Sequence, residues 1–224
     1  MKKNYILLLI ISCLSASCRA QQTKRYIGKT DSIQYKLLVD SAFNALGSKN
    51  LYKTEYYFKK AIEKIPGNSA NALIYDNLGK LQRDMKRNED ALTSFSKAIE
   101  LMPTAIPFLT DRASLLLLMD HEEQALDDYN RILSLSPKNI NALLYRAYIY
   151  VQQRKFDKAR SDYNQLLKND SGNYEGQLGL AVLNQQDGRL NEALTSIGIL
   201  IDSHPKNDTL FLMRAEIEAQ KGQT

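Results

Sequence analysis

From residue 35 onward, apolar and small side chains recur at helical spacing, and the helical blocks themselves recur every 34 residues. In the stretch 72–105, Tyr75, Leu78, Gly79 and Gln82 fall three or four apart, on one face of a helix. Ala91, Phe95 and Ala98 do the same on a second helix. Lys86-Arg87-Asn88 interrupts the pattern, with Asn88 as the expected N-cap ahead of acidic Glu89 and Asp90. Pro103 closes the second helix.

Four series of residues share this register. Ala42, Gly79, Ala113, Ala147, Ala181 and Ala215 form the first, small at every step. Thr54, Ala91, Ala125, Ala159 and Ala193 form the second, and Phe58, Phe95, Tyr129, Tyr163 and Ile197 the third. Pro66, Pro103, Pro137, Ser171 and Pro205 form the fourth. Each series begins with one step of 37 residues and then keeps 34, so one three-residue insertion near Gly67–Asn71 accounts for the misfit. A period of this length predicts a stacked array of helical hairpins. The small residues are expected where helices approach closely, with the aromatic series filling the space beside them. Asn71, Asn139, Asn173 and Asn207 recur at the expected starts of first helices, where an Asn side chain can accept orphan backbone N–H groups.

The residues just described resemble the tetratricopeptide repeat (TPR) pattern: an aromatic, Leu-Gly or Leu-Ala, then Ala-x-x-x-Phe-x-x-Ala, then Pro. Tyr75, Leu78-Gly79, Ala91, Phe95, Ala98 and Pro103 match it position by position. Later units depart at Ile132, Leu166 and Leu200, which replace the second-helix alanine, and at Ser171. Those aliphatics suggest looser packing between units. The resemblance implies an all-α superhelix of about five repeats, near 35–71, 72–105, 106–139, 140–173 and 174–207, with a capping helix at 208–222. It also implies a concave groove, lined by first helices, that binds a peptide or helix of a partner protein. Leu117, Leu144, Tyr148, Val151, Leu178 and Val182 are among the apolar residues at groove positions of the last three units. They form either a partner-binding patch or contacts made as the superhelix curls. The carboxylate clamp of some TPR domains is not expected, because the corresponding first-unit positions hold Val39 and Phe43.

The amino terminus reads differently. Lys2 and Lys3 precede an apolar stretch from Tyr5 to Leu14 and then small residues, the layout of a cleaved secretory leader over 1–20. Leu14-Ser15-Ala16-Ser17-Cys18 resembles a lipobox, which implies lipidation of Cys18; the alternative is cleavage after Ala20. Residues 21–34 are expected to be a flexible tether. The expectation is a lipoprotein of the bacterial envelope, anchored in the outer membrane or periplasmic, or a soluble or secreted TPR subunit without an anchor.

Composition narrows the chemistry. The net charge of +5 includes Lys2 and Lys3, so the body carries little excess charge and no repeated basic stripe, which disfavours nucleic acid. Both cysteines, Cys13 and Cys18, lie in the leader. His121 and His204 lack partners at metal-ligand spacing. Glu122-Glu123 and Asp127-Asp128 are expected on a solvated helix face. Gly176 and Gly179 fall inside a predicted helix, not a phosphate loop. We expect no enzyme activity, no cofactor, no metal and no small-molecule substrate; the expected partner is a protein or peptide.

Overall fold

The computed structural model describes residues 28–222, so the leader, Cys18 and most of the tether lie outside the described residues. Among the described residues there are eleven α-helices and no strand. They are α1 (Lys29–Gly47), α2 (Leu51–Lys64), α3 (Asn71–Asp84), α4 (Asn88–Leu101), α5 (Ile106–Leu118), α6 (Glu122–Leu135), α7 (Ile140–Gln152), α8 (Phe156–Asn169), α9 (Tyr174–Gln186), α10 (Leu190–Ser203) and α11 (Asp208–Gly222). The chain divides into two compact units, at Asn71 and Ala72.

The first unit is the α1–α2 hairpin. Ala42, Ala45, Phe58 and Ala61 are buried between the helices, and Phe43 meets Phe58 edge-on at 5.4 Å. Helix α1 starts at Lys29, six residues before the expected start of the array at 35. Asp31 suits that first turn, where a negative charge faces the helix dipole, and Lys64 pairs with it at 2.8 Å. Asn71 is the first residue of α3 and not the residue before it. Its Nδ2 donates to the Ile65 carbonyl at 2.8 Å, and its Oδ1 accepts from the Tyr35 hydroxyl at 2.9 Å.

The second unit stacks successive hairpins from α3 onward and ends in the single helix α11. Ala113, Ala147, Ala181, Ala91, Ala125, Ala159 and Ala193 are all fully buried. Gly79 explains itself: a Cβ there would lie 2.7 Å from the Phe95 ring. Ala215 breaks the series and is exposed. The other members are covered by the second helix of their own hairpin, and no such helix follows α11 among the described residues.

The aliphatic departures are not loosely packed. Ile132, Leu166 and Leu200 are at most 1% exposed. Volume is exchanged across the seams instead. Ala98 shares the central core with Phe108, Ile132 with Ala142, and Leu166 faces Gly176, where a Cβ would lie 2.6 Å from Leu166 Cδ2. A large side chain on one helix is matched by a small one on the next, which keeps interior density constant.

Caps and turns follow the repeat, with two surprises. Asn139 and Asn173 cap α7 and α9, accepting from the backbone N–H of Ala142 and Gly176 at 2.9 Å. Asn207 accepts from Thr209 N–H at 3.2 Å. Asn88, however, is the first residue of α4; Arg87 holds the cap position and no side chain caps it. Every hairpin turn then contains one left-handed residue at equivalent register: Lys49, Lys86, Asp120, Arg154 and Gly188, with φ between 56° and 76°. Only the last is glycine. Placing a Cβ residue in this region costs about 1–2 kcal/mol, less for Asp. Lys86→Gly is therefore expected to stabilise the array by about 0.5–1 kcal/mol. Gly188→Ala, with no atom within 4 Å of the added Cβ, is expected to cost about 1 kcal/mol from the backbone alone. Urea melts of the two variants check both signs.

Candidate functional site

The first helices of the later hairpins, α5, α7 and α9, present their groove positions to one cleft. Leu117 comes from α5, Leu144, Tyr148 and Val151 from α7, and Leu178 and Val182 from α9. The repeat explains the convergence: residues at the same register of stacked first helices line the same face. All six line one pocket of about 450 Å³. They are not equally exposed. Tyr148 is 50% exposed and Val151 only 4%. Leu144 also packs against two core clusters, so it holds the scaffold as well as lining the cleft.

Five further residues complete the pocket, and reading groove positions alone missed most of them. Tyr145 and Gln152 come from α7, Glu175 and Gly179 from α9, and Tyr163 from α8. Tyr163 forms part of the floor although its register marks it as core. A Cβ on Gly179 would lie 2.5 Å from its ring, so glycine lets that ring reach the α9 backbone. Burial, with smaller contributions from Tyr148 and Asp162, pushes the Tyr163 phenol up to about 12. It remains a neutral hydroxyl at neutral pH. The lining is mostly apolar, with Gln152 and Glu175 among its polar groups, a composition that can take up a ligand.

The groove changes character toward its amino-terminal end. Lys80 on α3 pairs with Asp76 at 2.6 Å and with Asp111 of α5 at 3.0 Å. Burial opposes the charge of Lys80, but hydrogen bonds to the two carboxylates outweigh it and push its pKa up. The charged and apolar halves of the same face therefore offer different surfaces.

A second repeated polar feature lies away from the cleft. Arg112 on α5 makes a two-pronged pair with Asp128 on α6, at 2.8 and 2.6 Å, and reaches Ser96 Oγ at 3.1 Å. Thirty-four residues later Arg146 holds Asp162 at 2.8 and 2.7 Å and Asn130 Oδ1 at 2.8 Å. Asp128 is therefore not on a solvated face, since only 2% of it is exposed. The signal was present as Arg and Asp 16 residues apart in two successive units. It could not be read without knowing that this separation spans the hairpin.

The remaining candidates for chemistry are scattered. His121 precedes α6 without capping it, and His204 packs edge-on against Tyr174 at 4.9 Å. Glu122 and Glu123 receive hydrogen bonds from Gln153 at 3.3 and 3.1 Å. No group of three His, Cys, Asp or Glu side chains able to hold a metal occurs among the described residues. No helix there is long and apolar enough to cross a membrane.

Comparison with known proteins follows the same architecture. Two family models, each described as Tetratricopeptide repeat, match residues 72–104 and, in overlapping copies, 110–174 and 144–198. A search of the curated proteins finds no match. Among solved structures, a tetratricopeptide repeat protein from Parabacteroides merdae superposes with a TM-score of 0.78 at 28% identity, over 84% of this chain and 74% of that one. A protein named MamA reaches 0.69 at 18% identity, over 79% and 94%. YrrB, described as a TPR protein with an unusual peptide-binding site, reaches 0.61 at 20% identity, over 74% and 84%. The family models together span more than half of the sequence, in the register set by the small residues, and the chain belongs to the tetratricopeptide repeat family.

Proposed function

We propose that this protein is an adaptor of the bacterial cell envelope that holds a peptide or helix of a partner protein in the cleft of α5, α7 and α9. Tetratricopeptide repeats are interaction modules, and a scaffold for protein–protein contacts is the role the family implies. The observation that carries the finer reading is the convergence of six apolar groove residues on one pocket. An apolar concavity with polar edges is where soluble proteins take up partners. YrrB, similar in fold, has a peptide-binding site of its own. The leader with Cys18 supports export and lipid anchoring of the array. A soluble periplasmic or secreted subunit is the alternative, if cleavage falls after Ala20.

Tyr148→Glu is the cleanest test, because the side chain is half exposed while Leu144 is needed by the core. Burying a charge in the cleft is expected to weaken partner capture at least tenfold, about 1.4 kcal/mol, with little change in melting temperature. Crosslinked co-purification from native envelope, with quantified recovery, makes the comparison. Equal recovery with wild type and variant removes the site from this cleft. Fractionation of Cys18→Ser addresses the anchor: release of the protein from membranes is expected, and retention counts against lipidation.

A further inference from the structure

The first unit carries a surface that the later hairpins lack. Tyr52 and Tyr56 lie four apart on the solvent face of α2 and are 78% and 56% exposed. In the other second helices the register of Tyr52 holds Glu89, Glu123, Asp157 and Asn191, and that of Tyr56 holds Thr93, Asp127, Ser161 and Thr195. Polar or acidic residues thus stand wherever α2 shows a tyrosine. Lys53, Lys59, Lys60 and Glu63 are exposed around the two rings. Lys59 pairs with Glu55 at 2.8 Å and Lys60 with Glu63 at 2.7 Å, and the Lys60 ammonium lies 6.0 Å from the centre of the Tyr56 ring.

Charge divides along the same line. Residues 28–71 hold seven lysines and four acidic residues, a net +3, whereas residues 72–224 hold 18 basic and 21 acidic residues, a net −3. Arg19, Lys24 and Arg25 add further positive charge between Cys18 and the hairpin.

Resting on the lipid-anchored reading above, we propose that the solvent face of α2 lies on an anionic bilayer surface, with the two tyrosines at headgroup level and the lysines at the phosphates. Tyrosine suits that depth because its ring is apolar and its hydroxyl polar. Lysine suits it because a long apolar stem carries the ammonium out to the phosphate layer. The ten peptide steps from Cys18 to Gly28 extend about 35 Å at most, so a lipid on Cys18 keeps the hairpin within reach of the membrane. The net negative charge of residues 72–224 disfavours the same surface. The lipid holds the chain to the membrane, and this contact selects which unit meets the headgroups.

The chain contains no tryptophan, so Tyr56→Trp places a single reporter on this face. Thr93→Trp places one at the same register of α4 and is the control, since both variants carry the same leader to the vesicle. The purified full chain is mixed with vesicles of phosphatidylcholine, with or without phosphatidylglycerol, whose brominated acyl chains quench a nearby indole. The expected result is a blue-shifted, quenched indole at 56 on phosphatidylglycerol vesicles, with no change at 93. Added salt is expected to reduce the shift, because it screens the attraction. Lys53→Gln/Lys60→Gln in the Tyr56→Trp chain is expected to raise the vesicle concentration needed about tenfold or more, each cation near an anionic surface being worth about fivefold. Lys59 is kept because its partner Glu55 is buried. An unshifted indole at 56, or an equal response at 93, overturns the proposal and assigns the face to a protein partner. An equal response to pure phosphatidylcholine overturns the choice of an anionic surface. The Cys18→Ser fractionation reads the anchor separately, so this contact can fail while anchoring stands.

Discussion

Asp162→Ala is expected to destabilise the repeat array by about 3 kcal/mol, the low end for breaking a buried ion pair. The carboxylate is 5% exposed and takes both prongs of the Arg146 guanidinium. That hydrogen bonding is the main reason the guanidinium pKa is pushed above its ordinary value. Alanine removes the acceptor and leaves a guanidinium, 21% exposed in its native position, with Asn130 and the Tyr150 ring as its remaining partners. The partial exposure of Arg146 is why the expected loss is not larger. Salt should relieve little of it, because screening acts mainly on exposed charges. The double replacement Arg146→Met/Asp162→Leu is expected to cost less than Asp162→Ala, since no unpaired charge remains. Guanidinium chloride titrations would mix salt with denaturant, so urea melts followed by circular dichroism are the measurement. A loss below about 1 kcal/mol for Asp162→Ala would mean that the pair behaves like a surface salt bridge.

Phe95→Ala is expected to cost about 3–5 kcal/mol, the range for emptying a buried aromatic site. The ring is fully buried and fills the space that Gly79 leaves beside it. The reverse error is smaller. Gly79→Ala places a methyl 2.7 Å from two ring carbons, and overpacking of this kind costs about 1–3 kcal/mol. Because the two sites touch, their effects should not add: in the Phe95→Ala background the Gly79 methyl enters vacant space. A double-mutant cycle by urea denaturation measures this coupling. Simple additivity would show that the glycine and the ring are not exchanging volume. Arrays couple mainly to nearest neighbours, so the melt of Phe95→Ala is expected to broaden as the α3–α4 hairpin uncouples from those after it.

Much of this was legible because a repeat multiplies each signal. A single alanine says nothing, but Ala113, Ala147 and Ala181 at constant spacing mark a seam. The same register placed Leu117, Leu144 and Leu178 on first helices, so the cleft could be anticipated without coordinates. The pattern failed where a residue's meaning depends on what lies across from it. Ala215 keeps the spacing, but no covering helix follows it among the described residues, and it is exposed. Leu166 was read as a sign of loose packing because its compensating Gly176 sits in the next unit. Lys86, Asp120 and Arg154 take left-handed turns that carry no glycine to announce them.

Sequence alone thus determined the helical period, the hairpin unit and the face that each first helix turns to the groove. These follow from local periodicity, which a chain displays along its length. Tertiary structure alone decided which charges are paired in the interior and where a pocket opens. Asp128 and Asp127 are neighbours in sequence, yet only Asp128 meets an arginine from the adjacent helix. Gly179 looks like any helical glycine until the Tyr163 ring is found packed against it. Pairing and close approach are relations between helices, and they come into being only when the helices pack.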